Sequence, residues 1–159
     1  MSRGIKRDLG LSPSEKGRLR RNGIILKDIG KYSVDDLTRI LNGSKQRARE
    51  VFALTEFQSA PSLGLKFAHD LIGLGFYSFD DLKDENAAEM FNQLEHNHGS
   101  ILDPCVEDQC RLAVHYANNR DSRKCWWDFT AERKKFRDVY GYPATRPGKN
   151  KQQLVVIAR

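Results

Sequence analysis

The sequence predicts an all-α fold, in which helices paired through tight hairpins form one bundle and a helical extension follows it. Three observations carry this reading. Val51, Leu54 and Phe57 recur three residues apart, and Leu65, Ala68, Leu71 and Ile72 recur at helical spacing, with Pro61 and Gly64 breaking the pattern between them. Helix starts are signalled at Ser12-Pro13 and Asp103-Pro104, where a short polar side chain caps and proline takes the first helical position. Gly30-Lys31-Tyr32-Ser33-Val34-Asp35-Asp36-Leu37 also returns as Gly75-Phe76-Tyr77-Ser78-Phe79-Asp80-Asp81-Leu82, identical at six of eight positions.

Taken in order, residues 1–12 form a basic N-terminal arm. A helix is expected from Pro13 to about Arg21, where Asn22-Gly23 stops it. The first twenty-one residues carry Arg3, Lys6, Arg7, Lys16, Arg18, Arg20 and Arg21 against only Asp8 and Glu15, either as a solvated face or as phosphate contacts. In both copies of the repeat the serine is expected to cap a helix. The two aspartates then sit in the first turn, where the helix dipole favours negative charge, so they read as helix-start chemistry and not as a catalytic pair.

Two hairpins follow. Leu41-Asn42-Gly43-Ser44-Lys45 precedes the helix that runs through Arg47, Arg49 and Val51 to Phe57, and Pro61-Ser62-Leu63-Gly64 leads from it into the next. Aligning Ala48 with Ala68 sets Ser44-Lys45 on Gly64-Leu65, so the middle helix is shared by both hairpins. Such a turn leaves backbone N–H groups at a helix start, where the dipole and the free donors favour a phosphate, and Lys66 adds a cation. The second turn resembles a helix-hairpin-helix motif, which grips a nucleic-acid backbone without reading bases; Ser62 stands where that motif usually has its first glycine. The whole of residues 13–85 is therefore expected to be a tandem helix-hairpin-helix (SAM-domain-like) bundle.

Residues 86–140 form the expected extension. Ala88, Met90, Phe91 and Leu94 mark one helix, ending near Gly99. Asp103-Pro104 opens another, with Val106, Cys110, Ala113, Val114 and Ala117 as its buried stripe and Glu107 and Asp108 as first-turn acids. Thr130 is expected to cap a basic helix. Trp126 and Trp127 are expected to plug the gap between the two helical units, the alternative being that they stack on unpaired bases. Residues 141–159 read as a basic extended tail, within which Leu154-Val155-Val156-Ile157 is too short to span a membrane.

The composition narrows the function. The chain has 159 residues, 27 Lys and Arg against 21 Asp and Glu, and three cysteines. That length supports one real core or two small helical units. The net charge of +6 is a mild attraction to polyanions. A basic start without an apolar stretch after it gives no signal peptide, and cysteines without a paired framework indicate a reducing cytoplasm. His96, His98, His115, Cys105, Cys110 and Cys125 invite a metal, but their spacing fits no usual zinc pattern, so neither metal nor other cofactor is expected.

Pro61-Ser62-Leu63-Gly64, Phe67-Ala68-His69-Asp70-Leu71, Gly75-Phe76-Tyr77-Ser78, Asp103-Pro104-Cys105-Val106-Glu107-Asp108, Arg111 to Ala117 and Trp126-Trp127 together resemble the bacterial pathogenicity-locus family. These are small helix-hairpin-helix-related proteins, some carrying a mitomycin-resistance label. The resemblance implies the fold and a DNA-damage link, and brings no established activity with it. The expected function is sequence-independent binding of nucleic acid, DNA first, through Ser62, Gly64, Lys66, Gly43, Lys45, Arg47, Arg49, Arg20 and Arg21. The alternative is a protein-interaction module with the same architecture. An enzyme is not expected, since no nucleophile, base or metal cluster presents itself.

Overall fold

A computed structural model describes residues 8–148, and every described regular element is helical. Among the described residues the α-helices are α1 (Pro13–Arg21), α2 (Val34–Leu41), α3 (Lys45–Phe57), α4 (Leu65–Gly73), α5 (Ala87–His98), α6 (Pro104–Asn119) and α7 (Thr130–Tyr140). Short 3-10 turns occupy Leu26–Lys31, Asp80–Leu82 and Trp126–Phe129. None of the described helices is long and apolar enough to cross a membrane. The chain divides into two compact units, the first ending at Asp81 and the second beginning at Leu82.

The first unit is built around α3, which packs against both α2 and α4. Ala48, Val51, Leu54 and Phe57 are buried on it, and Phe57 meets Phe79 edge-on at 5.3 Å. Thr55 is also buried, and its hydroxyl donates to the Val51 carbonyl at 2.9 Å, so no polar atom is stranded there. The expected N-terminal arm is folded in as far as it is described. Leu9 and Leu11 are buried, Gln58 donates to the Asp8 carbonyl, and Arg47 donates to the Gly10 carbonyl. Two leucines alternating with small polar residues bury apolar area that a solvated arm would leave in water.

Helix α1 starts as expected: the Ser12 hydroxyl accepts from the Glu15 amide, and the Glu15 carboxylate accepts from the Ser12 amide, forming a capping box. Glu15 also accepts two bonds from the Arg47 guanidinium, at 2.9 and 3.0 Å. That guanidinium, opposed by partial burial, lowers the Glu15 carboxyl from its ordinary 4.5 to about 2. The folded value lies below the unfolded one, so the contact stabilises fully above about pH 4.5 and its contribution is lost as pH falls towards 2. Glu15→Gln should accordingly flatten part of the fall in melting temperature over that window. An acid limb identical to the parent's would show that the pair contributes nothing.

The internal repeat folds in two ways. In the first copy Ser33 accepts from the Asp36 amide at 3.0 Å and α2 follows. In the second, Ser78 accepts from the Asp81 amide at 3.3 Å, but only the 3-10 turn Asp80–Leu82 forms. The chain then passes through Asp84 at φ +62° and restarts as α5 from a new cap at Asn86. The difference lies downstream of the repeat. Leu37, Ile40 and Leu41 give the first copy an apolar face to bury, whereas Lys83-Asp84-Glu85-Asn86 gives the second copy none.

The second unit packs α6 against α5, α7 and the Trp126–Phe129 turn. Met90, Phe91, Leu94, Cys110, Leu112, Ala113, Ala117 and Phe129 are buried. So are Glu95, Glu107 and Asp108, all within 1% exposure. Asp108 accepts from Arg133 at 2.7 Å and from Thr130 at 2.8 Å. Glu107 accepts from Arg137 at 2.8 Å and from Arg111 at 3.0 Å. Glu95 takes two bonds from Arg146, at 2.7 and 2.9 Å, and one from the Leu102 amide. A buried carboxylate is tolerated only with such partners, because isolated burial of charge costs several kcal/mol or more.

These pairs correct two expectations. Glu107 lies in the first turn of α6 and Asp108 just beyond it, and both anchor the arginines of α7; the face of α7 carrying Arg133 and Arg137 is correspondingly turned inward. The described part of the tail, expected to be extended, turns at Ala144-Thr145 and Pro147-Gly148 and is docked. Tyr142 lies 4.2 Å from the Arg137 guanidinium and 3.8 Å from that of Arg146, stacked against both, and Arg146 closes onto Glu95. The Leu154–Ile157 run falls outside the described residues.

Candidate nucleic-acid interface

The predicted contact residues all lie in the first unit, on α1, on the two turns that flank α3, and in the opening turns of α3 and α4. Arg20 and Arg21 are exposed on α1. Arg20 and Lys16 border a shallow groove of about 390 Å³ floored by Leu19, Ile24, Ile25 and Leu26. Arg18, by contrast, donates to the Leu41 carbonyl at 2.8 Å and closes the C-terminal end of α2.

The turn into α3 runs through Asn42, left-handed at φ +48°, and Gly43 to Ser44. A Cβ on Gly43 would touch only the Leu41 carbonyl, at an ordinary 3.9 Å. Ser44 is the N-cap of α3, and its hydroxyl accepts from the Arg47 amide at 3.0 Å. The mouth of this helix therefore already holds an oxygen. Lys45 lies 3.5 Å from Asp35, both side chains largely in water, a geometry that contributes little to stability. Arg47 is committed to Glu15 and the Gly10 carbonyl, with Glu50 at 3.6 Å. The Arg49 guanidinium sits 3.6 Å above the Tyr77 ring, whose hydroxyl accepts from Gln46 at 2.9 Å.

The turn into α4 differs at one decisive position. Gly64 is the N-cap, so no side chain caps the helix, and a Cβ there would meet nothing within 4 Å. Its φ of −104° is open to any residue, so neither conformation nor space requires glycine. Lys66 is exposed in the first turn. Ser62, half-buried two residues earlier, is held at φ +60°. A serine in this region costs roughly 1–2 kcal/mol relative to glycine, so the turn keeps a glycine-type backbone despite the substitution. Ala48 and Ala68, the fourth residues of α3 and α4, are both fully buried and donate to Ser44 and Gly64. The alignment of the two turns thus corresponds to equivalent helix positions.

A family model described as Pathogenicity locus (Cdd1) matches residues 50–135, from within α3 to within α7. The chain belongs to the pathogenicity-locus family. In this pathogenicity-locus protein the match takes in the Gly64 turn, the uncapped start of α4, and Glu107 and Asp108 with their partners Arg111 and Arg133, and leaves out α1, α2 and Arg137. The chain is also 30% identical over 74 residues to the mitomycin resistance protein McrB of Streptomyces lavendulae, across 46% of this chain and 70% of that protein. No solved structure matches.

Charge is distributed in a way that the total conceals. Residues 8–148 carry 21 basic and 21 acidic side chains, so the formal +6 resides in Arg3, Lys6, Arg7, Lys149, Lys151 and Arg159. The second unit holds two features that pattern reading missed: the buried acid–arginine pairs and a tryptophan facing solvent. The i, i+4 spacing of Glu107 with Arg111, and of Arg133 with Arg137, was the only local signal of the first. Among the described residues, no group of three or more His, Cys, Asp or Glu side chains is placed to hold a metal. Burial and the adjacent Asp103 push the Cys105 thiol up to about 11, so it is not a ready thiolate.

Proposed function

We propose that this pathogenicity-locus protein is a sequence-independent DNA-binding protein, in which the start of α4 takes a backbone phosphate as part of a tandem helix-hairpin-helix arrangement around α3. The observation that carries this reading is the contrast between the two helix mouths. Ser44 fills that of α3, while Gly64 leaves that of α4 without a side-chain cap and beside the exposed Lys66. A helix start of this kind offers backbone donors and a positive dipole to an anion. Lys45, Arg49, Arg20 and Arg21 add cations in the same unit, while Arg47 serves by holding α3 to the Glu15 turn. The mitomycin-resistance name of the relative supports a connection with DNA damage. Binding, not catalysis, is the activity proposed.

A second reading, a protein-interaction module, draws on the zero formal charge of residues 8–148. Gly64→Asp separates the two. Aspartate is at least as good an N-cap as glycine and has room, so the melting temperature should hold or rise slightly. Its carboxylate would occupy the phosphate position and repel the backbone, weakening duplex binding by tenfold or more, which corresponds to ~1.4 kcal/mol. Unchanged duplex affinity in the folded variant would remove the phosphate grip and leave the interaction module.

A further inference from the structure

Trp127 is 56% exposed, although the same short turn buries Phe129 to 5%. Phe129 takes the inward position beside the His115 ring at 5.4 Å, and the indole of Trp127 is left outside. The expectation that Trp127 acts as a plug is therefore not met. Its backbone is nevertheless firmly held. The Cys125 amide donates to the Asp128 carboxylate at 2.8 Å, and the Asp128 amide donates to the Cys125 carbonyl at 3.1 Å. The half-buried Trp126 meets the Trp127 ring edge-on at 5.4 Å and 80°, bracing it from one side.

Two cations precede the platform. Lys124 is exposed, with its ammonium 5.4 Å from the Phe129 ring centroid. Arg123 is anchored to Asp121 at 2.9 Å, with 89% of its side chain in solvent. We propose that this turn is a second binding site, which takes an unpaired base of a single-stranded nucleic acid on the Trp127 face and its phosphate on Lys124 and Arg123. A rigid exposed indole stacks any base, because every base has a π-face, and adjacent cations suit the backbone. A protein partner fits less well: one indole falls far short of the ~800 Å² per partner of a stable interface. This site stacks an unpaired base, whereas the α4 mouth takes only backbone phosphate; quenching of the indole reports the first alone, so the two stand or fall separately.

The test uses the full chain with Trp126→Phe, which leaves Trp127 as its only tryptophan. Titration with a short oligothymidylate should quench Trp127 fluorescence to saturation, and a duplex of equal length should not. In the parent background, Trp127→Ala should weaken oligothymidylate binding about 5- to 150-fold, the range seen when one stacking side chain is removed. Trp127→Phe should retain most of the affinity. Absence of quenching, equal quenching by duplex, or undiminished affinity in Trp127→Ala would overturn the proposal. If Trp127→Ala fails to fold, the quenching titration and the Trp127→Phe affinity decide.

Discussion

Glu107→Gln should destabilise the second unit by ~3–5 kcal/mol, the range for breaking a buried ion pair by removing one partner. Glu107 is fully buried and accepts from Arg137 and Arg111, whose side chains are only 7% and 11% exposed. The neutral amide keeps the volume but leaves two guanidiniums facing a group that cannot balance them. Both tryptophans belong to this unit, so their fluorescence during urea unfolding reports on it selectively. Adding Arg137→Met should recover part of the loss, because the double variant removes charge and countercharge together. A single variant within ~0.5 kcal/mol of the parent would show that α6 and α7 are held by their apolar contacts alone.

The second large effect concerns salt. With all of the net charge outside residues 8–148, replacing Arg3, Lys6, Arg7, Lys149, Lys151 and Arg159 by glutamine leaves a neutral chain with an intact described core. On the proposed function, each phosphate neutralised contributes about −0.9 to the slope of log affinity against log salt. The substituted protein should lose up to about 5 units of slope and, at low salt, affinity on the order of 10³-fold. A slope equal to the parent's would overturn this expectation and locate the cationic contacts on the first unit itself, at Lys66, Arg49, Arg20 and their neighbours.

Much of the architecture was legible before the structure because it depends on local chemistry. Ser12, Ser33 and Asp103 cap the helices they were expected to cap, since the bond they make reaches only two or three residues along the chain, whereas Thr130, expected to cap α7, is its first residue and donates its hydroxyl to Asp108 instead. The apolar stripes of α3 and α4 are buried for a similarly short-range reason, a period matched to the helix. The candidate contact residues of the first unit were legible as residue types, but their present commitments were not. Arg47 reads as a free cation in the sequence and is a clamp on Glu15, 32 residues away, in the fold.

What the sequence determined by itself is therefore the all-helical class, most helix boundaries, the family and the two turns that flank α3. Tertiary structure alone decided which charges are buried and which aromatics are not. Glu95, Glu107 and Asp108 look like surface acids in any local window and become core only because Arg146, Arg137 and Arg133 reach them from 25 to 51 residues away. Trp127 looks like core and is displaced outward because Phe129 occupies the inward position of the same turn. Both outcomes follow from one physical fact: the cost of burying a group depends on what faces it, and what faces it is chosen by the packing of distant elements.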